Sequence, residues 1–393
     1  MPHLPDGQDS LVARTVERIA DVPAASWDAL TDGDNPFVSH TFLHCLEESG
    51  SAGPRAGWIP RHLVIEDAKG RLAAACPLYL KSHSQGEYVF DHGWAHAWER
   101  AGGTYYPKLQ VAVPFSPVPG PRLLVGGGAD AAALRRALAS TLETLAERLD
   151  VSSVHVTFPD KADWEALGAA GWIQRVGRQF HWANAGYRDF DDFLAALSSR
   201  KRKNIRKERK AIADAGIEVR ALSGTDIAPR HWDAFYRFYQ DTYDRKWGHP
   251  YLTRQCFDLL QHRMGDSVVL VMAFRGERPI AGALNLKGPT ALFGRNWGCA
   301  EDVPFLHFEC CYYQAIDYAI AHGLQRVEAG TQGPHKIQRG YMPVETYSAH
   351  YIPDRGFRAA VARFCEAERR EVEAEMALIE EEYSPFRKED GAS

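Results

Sequence analysis

Two polar residues, His307 and Glu309, stand at the start of a predicted helix that runs to His322 and is ended by Gly323. Side chains two positions apart near a helix start can both face one cleft, and a carboxylate beside an imidazole can hold its pKa near the working pH. The pair therefore predicts a catalytic acid or base. The alternative is structural, because a first-turn Glu complements the helix dipole and a lone His is commonly a hydrogen-bonded core residue.

A second polar group lies in the loop from Gly330 to Gly340. Three glycines and Pro334 within eleven residues indicate a tight, shaped loop. His335, Lys336 and Arg339 would direct positive charge from it, which predicts binding of a phosphate or carboxylate. We count His335 among the catalytic candidates and the two cations among the substrate-binding candidates. The alternative is a solvated loop that pairs with the acidic C-terminal helix.

Arg295 and Trp297 form a third candidate pair, two positions apart in a strand-like stretch. A cation beside an indole ring can stack on it, and the pair could then hold a substrate. A buried tryptophan with a structural arginine is the alternative that the residues leave open.

A run of glycines, Gly126, Gly127 and Gly128, separates a strand-like segment from an Ala/Leu-rich helix predicted from about Asp130 to Leu149. Glycines let the backbone close around a phosphate, and the amides of a helix N-terminus favour negative charge. The order of strand, glycines and helix therefore predicts an anion cradle. A flexible connector is the alternative.

Cations are concentrated in one predicted helix, which has eight Lys or Arg among the eleven positions 200–210. Lys203, Arg206 and Lys207 are candidates for substrate binding on this helix. Their concentration predicts contact with a phosphate-bearing ligand or an anionic membrane surface. A solvated helix face is the alternative.

The overall composition is that of an ordinary globular protein. The chain has 393 residues, of which 45% are hydrophobic and 25% charged, and its net charge of -5 argues against a surface built for nucleic acid. Its seven cysteines form no CxxC pair and no zinc-like spacing, so we predict reduced thiols and no metal. No apolar leader and no membrane-length segment occur, which predicts a cytoplasmic protein, with peripheral contact to the inner membrane as a further expectation.

The chain is built as two copies of one unit. Gly171 and Trp172 precede His181 and Trp182 at the spacing at which Gly340 and Tyr341 precede His350 and Tyr351. Upstream, Leu78 to Lys81 corresponds to Leu284 to Lys287, and Trp94 to Trp297. The first copy carries extra residues near Tyr105 to Leu124, which suggests that the two halves divide their labour. An amphipathic C-terminal helix after 357 is expected to pack across both.

The segment from Val151 to Trp172 resembles the tail of a GNAT acyltransferase domain. In that family a glycine-containing loop holds the pyrophosphate of acyl-CoA. The resemblance assigns this role to Gly126, Gly127 and Gly128, with Arg122 as a charge partner. The stretch from Ser199 to Val219 is similar to the entry of the second domain in Fem-type peptidyltransferases, tandem GNAT enzymes that add amino acids to peptidoglycan precursors.

More closely, seven motifs in the same order resemble the bacterial FemAB-like family of N-acyltransferases. They are Asn35 to Phe37, Gly86 to Asp91, Tyr105 to Lys108, Lys246 to Gly248, Gly294 to Gly298, Leu306 to Glu309 and Gly333 to Tyr341. The resemblance implies an α+β fold with two tandem GNAT-like domains and mixed central sheets. We expect domains at 1–183 and 184–356, with a basic entry helix at 199–215, followed by a C-terminal helix and tail at 357–393.

The resemblance implies an N-acyltransferase that takes an acyl group from an acyl thioester, with acyl-CoA as the first expectation. The acceptor would be a small-molecule amine, a lipid amine or a cell-envelope precursor. Aminoacyl transfer to a peptidoglycan precursor, long-chain acylation of a sphingoid amine and non-catalytic recognition of peptidoglycan precursors are the alternatives. The long helical arms of Fem-type ligases are missing, which disfavours tRNA as a partner. Acyl length, oligomeric state and the half that holds the active site stay open.

Overall fold

The computed structural model describes residues 11–246, 248, 250–330 and 333–387. Outside the described residues lie the first ten and the last six positions, Trp247 of the motif at 246–248, His249 after it, and Thr331 and Gln332 of the glycine-rich loop.

The described residues form fourteen strands. They are β1 (Val12–Val16), β2 (Trp58–Pro60), β3 (His62–Glu66), β4 (Leu72–Cys76), β5 (Leu78–Lys81), β6 (Lys108–Val111), β7 (Val154–Thr157), β8 (Ile173–Ala183), β9 (Ile217–Ser223), β10 (Val268–Arg275), β11 (Arg278–Lys287), β12 (Ala291–Cys299), β13 (Arg326–Glu328) and β14 (Met342–Tyr351). Three of them make a small sheet in the order β1-β3-β4, and eleven make a mixed sheet in the order β2-β5-β6-β7-β14-β8-β13-β12-β11-β10-β9.

Helices cover both faces of the large sheet. The described α-helices are α1 (Ala24–Asp28), α2 (His40–Glu48), α3 (His92–Arg100), α4 (Ala131–Arg148), α5 (Lys161–Ala169), α6 (Phe190–Ala196), α7 (Ser199–Asp214), α8 (Pro229–Lys246), α9 (Arg254–Met264), α10 (Leu306–Phe308), α11 (Gln314–Ala321) and α12 (Arg355–Leu378). A π-helical turn, Glu309–Tyr313, joins α10 to α11.

Each half contains a parallel strand-helix-strand unit. In the first half β6 is followed by α4 and then β7, and in the second β12 is followed by α10, α11 and then β13. The two strands of each unit are parallel neighbours, a pairing that requires a crossover connection. The predicted duplication is therefore present in the fold.

The final strands of the two units are exchanged. β14, from the second half, lies between β7 and β8 of the first half, while β8 pairs with β13 of the second half. The eleven-stranded sheet is consequently continuous across both units, and the boundaries proposed at 183 and 356 stay predictions.

The sheet of the first half has one apolar face and one polar face. Apolar residues of β5, β6 and β7 pack with Leu138 and Leu142 of α4 in a single buried cluster. Side chains alternate along a strand, so the intervening residues face the other way. That second face carries Lys81, Lys108 and His155, all of them buried.

The chain around the turn at 67–70 forms a hairpin, and its second strand is split at Pro77 into β4, which joins the small sheet, and β5, which joins the large one. Two sequence expectations can be checked directly. The matching of Trp94 with Trp297 was wrong, because Trp94 lies on α3 and Trp297 on β12. The C-terminal helix does pack across both halves: Val361 joins a first-half cluster, and Ile379, just beyond α12, joins a second-half cluster.

Candidate functional site

The strands β12 and β13 diverge and leave a gap in the second half. Residues 291–293 pair in parallel with 326–328, and the pairing described between the two strands stops there. β12 nevertheless continues to Cys299, held by β11 on its other side. The C-terminal part of β12 therefore has no described strand partner on its β13 side.

A β-bulge lies at this gap. Leu284 pairs with Asn296 and Asn285 pairs with Gly294, so Arg295 is the extra residue of β12. A bulge reverses the alternation of side chains beyond it, and bulges are frequent beside active sites. As a result Trp297 faces the helix that follows β12.

The bulge separates the predicted pair Arg295 and Trp297. The Arg295 guanidinium donates to the carbonyl of Phe115, in the first half, and lies 5.7 Å from the ring centre of Phe37. The Trp297 ring instead meets the His307 ring edge-on at 5.3 Å. The predicted stacking of Arg295 on Trp297 is therefore wrong. Arg295 contacts the first half, and Trp297 contacts His307 of α10.

The π-helical turn brings His307 and Tyr312 together. An α-helix places residues three or four apart on one face, whereas the wider π turn aligns residues five apart. The two rings meet edge-on with centroids 5.4 Å apart. π turns are frequent at functional sites, and this one directs both rings toward the glycine-rich loop.

His335 of that loop completes the group. Its Nε2 lies 2.9 Å from the Tyr312 hydroxyl, and its ring centre lies 6.1 Å from that of His307. Burial, with Arg339 and Lys336 nearby, lowers the pKa of His335, so the imidazole is neutral at neutral pH. Burial also raises the pKa of Tyr312, which keeps the phenol protonated. We call His307, Tyr312 and His335 the histidine cluster.

The two cations predicted to bind a ligand hold the loop in place instead. Lys336 is 3% exposed and donates to the carbonyls of Ala329 and Gly330 at 2.7 and 2.9 Å. Burial lowers the pKa of this amine to about 8. Arg339 donates to both carboxylate oxygens of Glu208 at 2.9 Å and stacks over Phe308.

Glu309 does not join the histidine cluster. Its Oε1 accepts hydrogen bonds from Arg209 at 3.1 Å and from Gln314 at 2.8 Å, and Arg209 also pairs with Asp317. Burial raises the pKa of Glu309, while Arg209 opposes the rise. The expected base formed by His307 and Glu309 is thus replaced by an arrangement in which Glu309 fastens the π turn to α7.

Arg122 closes the equivalent gap of the first half. It is fully buried, and its guanidinium donates to the carbonyls of Val118, Gly120, Pro121 and Thr157. Burial lowers its pKa to about 10. With its donors used in this way, Arg122 does not serve as the phosphate partner that the sequence predicted.

The three glycines do precede a helix, as expected. Gly126 adopts a φ of 63° and donates to the carbonyl of Leu30, and Gly127 and Gly128 are exposed before α4. They belong to the first half, whereas the histidine cluster belongs to the second. Their role in binding a donor stays a prediction.

The basic helix α7 is two-sided. Lys203, Arg206 and Lys207 are exposed, and Arg206 pairs with Asp191, so these three predicted residues do not enter the histidine cluster. Glu208 and Arg209 face inward and contact the loop and the π turn. The outer face carries the concentrated charge that the sequence predicted.

Two of the quoted motifs converge on a buried polar group in the first half. Lys108 donates to Ser84, Glu87 and Asp91, and Lys81 lies 3.8 Å from Glu87. Burial raises the pKa of Glu87 to about 7 and lowers that of Lys81 to about 7. The segment 84–91 thereby folds over the polar face of β5 and β6, which single-residue reasoning had not predicted.

A cleft of about 580 Å³ lies between the halves. Its walls are the segment 88–90, strands β8 and β14, helix α12, and the loop at Gly333 and Ile337. A Cβ placed on Gly333 would lie 2.3 Å from Cε1 of His335. One end of the cleft therefore reaches the histidine cluster.

Sequence reasoning missed Tyr312, Glu208 and Arg209. Their positions relative to His307 and Arg339 depend on the π turn and on α7 packing, and neither has a local sequence signal. Among the described residues, no group of three or more His, Cys, Asp or Glu is arranged to hold a metal ion. No helix in the described part of the chain combines the length and apolar character that a membrane crossing requires.

Comparison with known proteins places this geometry in a family. A model of the FemAB-like family, described as peptidoglycan biosynthesis/recognition, matches residues 18–388. A search of curated proteins gave no match.

The similar solved structures share the fold at low sequence identity. FemX has a TM-score of 0.55 at 10% identity, covering 87% of this chain and 98% of that one. The C-terminal domain of an Agrobacterium fabrum protein provisionally described as a lysylphosphatidylglycerol synthetase scores 0.54 at 10% identity, with 86% and 94% covered. L-PGS from Bacillus licheniformis scores 0.50 at 11%, with 85% and 98% covered. The predicted α+β architecture of two GNAT-like units is confirmed, and the chain belongs to the FemAB-like family.

Proposed function

We propose that this chain is an N-acyltransferase that moves an acyl group from an acyl thioester, most favourably acyl-CoA, to an amine at the gap between β12 and β13. One observation carries the proposal: the imidazole of His335 and the phenol of Tyr312 are hydrogen-bonded to each other beside Gly333, which lines the cleft, and next to His307, which contacts Trp297 of β12. The lowered pKa of His335 and the raised pKa of Tyr312 keep both groups neutral. Acyl transfer to an amine needs a base and an oxyanion donor at one carbonyl.

The geometry supports a division of these two tasks. When His335 donates Nε2–H to the Tyr312 oxygen, its Nδ1 keeps a free lone pair on the ring edge that faces Gly333 and can take a proton from the attacking amine. The Tyr312 hydroxyl, which keeps its proton, can then donate a hydrogen bond to the developing oxyanion. The amine nitrogen bonds to the carbonyl carbon, the C–S bond breaks, and the proton held by His335 passes to the leaving thiolate.

Support for a donor with phosphates comes from charge. Lys203 and Lys207 are exposed on α7, the helix whose Glu208 holds Arg339, and neither has an ion pair among the described residues. Gly127 and Gly128 before α4 are a second anion-favouring surface. We propose that Lys203 and Lys207 also contact an anionic membrane surface or a phosphate-bearing acceptor. A cytoplasmic location is part of this proposal.

Aminoacyl transfer to a peptidoglycan precursor is the second candidate. It is favoured by the FemAB-like family match, whose description is peptidoglycan biosynthesis and recognition. The chemistry at the acceptor amine would be the same, and only the donor would differ.

A donor comparison tests the proposal. The purified chain would be heated with CoA, acetyl-CoA, hexadecanoyl-CoA or aminoacyl-tRNA, and thiol release would be followed with a panel of amines. A ligand at ~100 times its Kd adds about 2.7 kcal/mol of stability, which raises the melting temperature by a few degrees in a chain of this size. Stabilisation by aminoacyl-tRNA and by no CoA thioester would transfer the assignment to the second candidate.

A further inference from the structure

The cleft between the halves has walls of mixed character, and the described residues that line it include no lysine or arginine without an ion pair. Arg175 pairs with Glu368, and Arg178 pairs with Glu375. Both arginines that line the cleft are thus neutralised by α12. A nucleotide or a pyrophosphate inside it would have to displace an existing ion pair.

The remaining walls are largely apolar. Their apolar residues include Val176 and Phe180 of β8, Val372 of α12, Ile379 just beyond it, and Ile337 of the glycine-rich loop. A volume of about 580 Å³ is within the range of ~300–1,000 Å³ typical of small-molecule sites. An uncharged, elongated apolar group therefore suits this space better than a sugar or a phosphate.

Two of the five described non-glycine residues with a positive φ lie at the same walls. Tyr88 and Phe158 adopt φ values of 61° and 54°, a left-handed conformation that bulky residues rarely take. Such residues cluster at ligand clamps, because the surrounding structure must hold them there. Phe90, beside Tyr88, leaves 61% of its surface exposed at the cleft, an unusual position for a large aromatic residue.

We propose that this cleft binds an alkyl chain of one substrate, with the reacting end of that chain at His335. The chain is either the acyl chain of the donor or the hydrocarbon tail of an amine acceptor, since the chemistry of the walls is the same for both. The reaction at the end of the chain rests on the proposed function. The binding of the chain itself does not.

Graded chain lengths provide the test. Two series, acyl-CoAs and 1-alkylamines with 4 to 18 carbons, would be titrated into the full chain by calorimetry. Affinity in one series should rise by about fourfold per methylene until the cleft is full, as expected for apolar burial, and then level off. The series that shows this rise identifies the source of the chain.

Two substitutions at one position sharpen the test. Val372→Phe should shorten the length at which affinity levels off, and Val372→Ala should lengthen it, by about two carbons in each direction. A general structural defect would not move the two variants in opposite directions. Ala374→Phe, exposed on the same helix, is the matched control and should leave the profile unchanged.

Two outcomes overturn the inference: no dependence on length in either series, or a plateau that neither Val372 variant moves. Its failure is distinguishable from failure of the proposed function, because binding is measured without turnover. Length-dependent binding without thiol release from any thioester would support the alkyl-binding cleft and contradict the thioester donor. Thiol release that does not depend on chain length would support the thioester donor and contradict the alkyl-binding cleft.

Discussion

The two halves share one topology, but they differ in what lies between the ends of their two parallel strands. In the first half, the segment after β6 returns to the end of β7, where Gly120 pairs with Pro159 and Arg122 binds the carbonyl of Thr157. In the second half, the pairing described between β12 and β13 ends at Phe293, and the histidine cluster lies beside the rest of β12. The additional residues of the first copy therefore fill a space that has no equivalent segment described in the second copy.

The comparison teaches that the two copies of a duplicated fold can place the same residue type in different surroundings. Arg122 lies outside the strands and is fully buried among carbonyls, whereas Arg295 lies at the bulge within β12 and is partly exposed between the halves. Histidines differ in the same way, since His155 is buried in the first half and His335 lies beside Gly333, which lines the cleft, in the second.

The largest effect is expected from Arg122→Met. The substitution leaves four buried carbonyls without their donor, and each such loss costs ~1–3 kcal/mol, so we expect unfolding to become easier by about 3 kcal/mol or more. The midpoint of urea unfolding at unchanged m-value measures it. Arg295→Met is the matched control, with an expected loss below about 1 kcal/mol. Equal losses in the two variants would contradict the contrast between a filled and an open gap.

The next effect concerns the histidine cluster. His335→Ala and His307→Ala should each lower kcat by about 10²-fold or more, the range for loss of a general acid or base. Glu309→Gln should lower it by less than about tenfold, because Glu309 is held by Arg209 and Gln314. Gln338→Ala, exposed in the same loop, controls for loop disturbance. Steady-state rates with the preferred donor decide the matter, and near wild-type rates in both histidine variants would make the cluster structural.

A pH effect should distinguish the buried histidine of the first half. Burial, with Lys108 nearby, lowers the pKa of His155 to about 3, whereas an unfolded histidine titrates near ~6.5. Between these two pH values the unfolded chain binds one proton at this histidine that the folded chain does not bind. The stability that neutral His155 contributes is therefore complete above pH ~6.5, and it falls by about 1.4 kcal/mol per unit as the pH is lowered.

His155→Gln should make this dependence shallower by that amount, as measured by urea midpoints from pH 7 to pH 4. Asp91, Lys108 and His350 also face His155, so the difference between variant and wild type is the informative quantity. His92→Gln, exposed on α3, should retain the wild-type slope. An unchanged slope in His155→Gln would show that this histidine does not control the acid response.

The smallest effect is expected on the outer face of α7. Replacing Lys203 and Lys207 with Gln should weaken binding to anionic vesicles by ~1 kcal/mol per charge, and binding should depend less steeply on salt. Lys210 is left in place because it pairs with Asp214. Co-sedimentation at two ionic strengths measures the change. The charge-matched control replaces Lys69 and Arg148 with Gln, since both are exposed in the first half and have no ion pair among the described residues. Identical vesicle binding by the two double variants would show that the exposed lysines of α7 are an ordinary solvated face without a specific binding role.

Local pattern was sufficient for the elements and insufficient for the site. The helix predicted from about Asp130 to Leu149 is α4, and the strand after it is β7, because an apolar period and a glycine boundary are local properties. His307 and His335 were both catalytic candidates from the sequence, and their ring centres lie 6.1 Å apart in the fold. The partnership of His307 with Glu309 failed, because the π turn changes which residues share a helix face.

The sequence by itself determined the duplication, the order of strands and helices and the family, since these depend on spacing that survives in each copy. Tertiary structure alone decided which half keeps an open gap. Arg122 and Arg295 are each a single arginine beside apolar, strand-like residues in the sequence, and their roles diverge only because the Pro-rich segment brings carbonyls to Arg122 and brings the carbonyl of Phe115 to Arg295. The exchange of β8 and β14 was likewise invisible to local pattern, because either strand offers the same hydrogen-bonding groups to both neighbours, and only packing of α12 and the two cores selects between them.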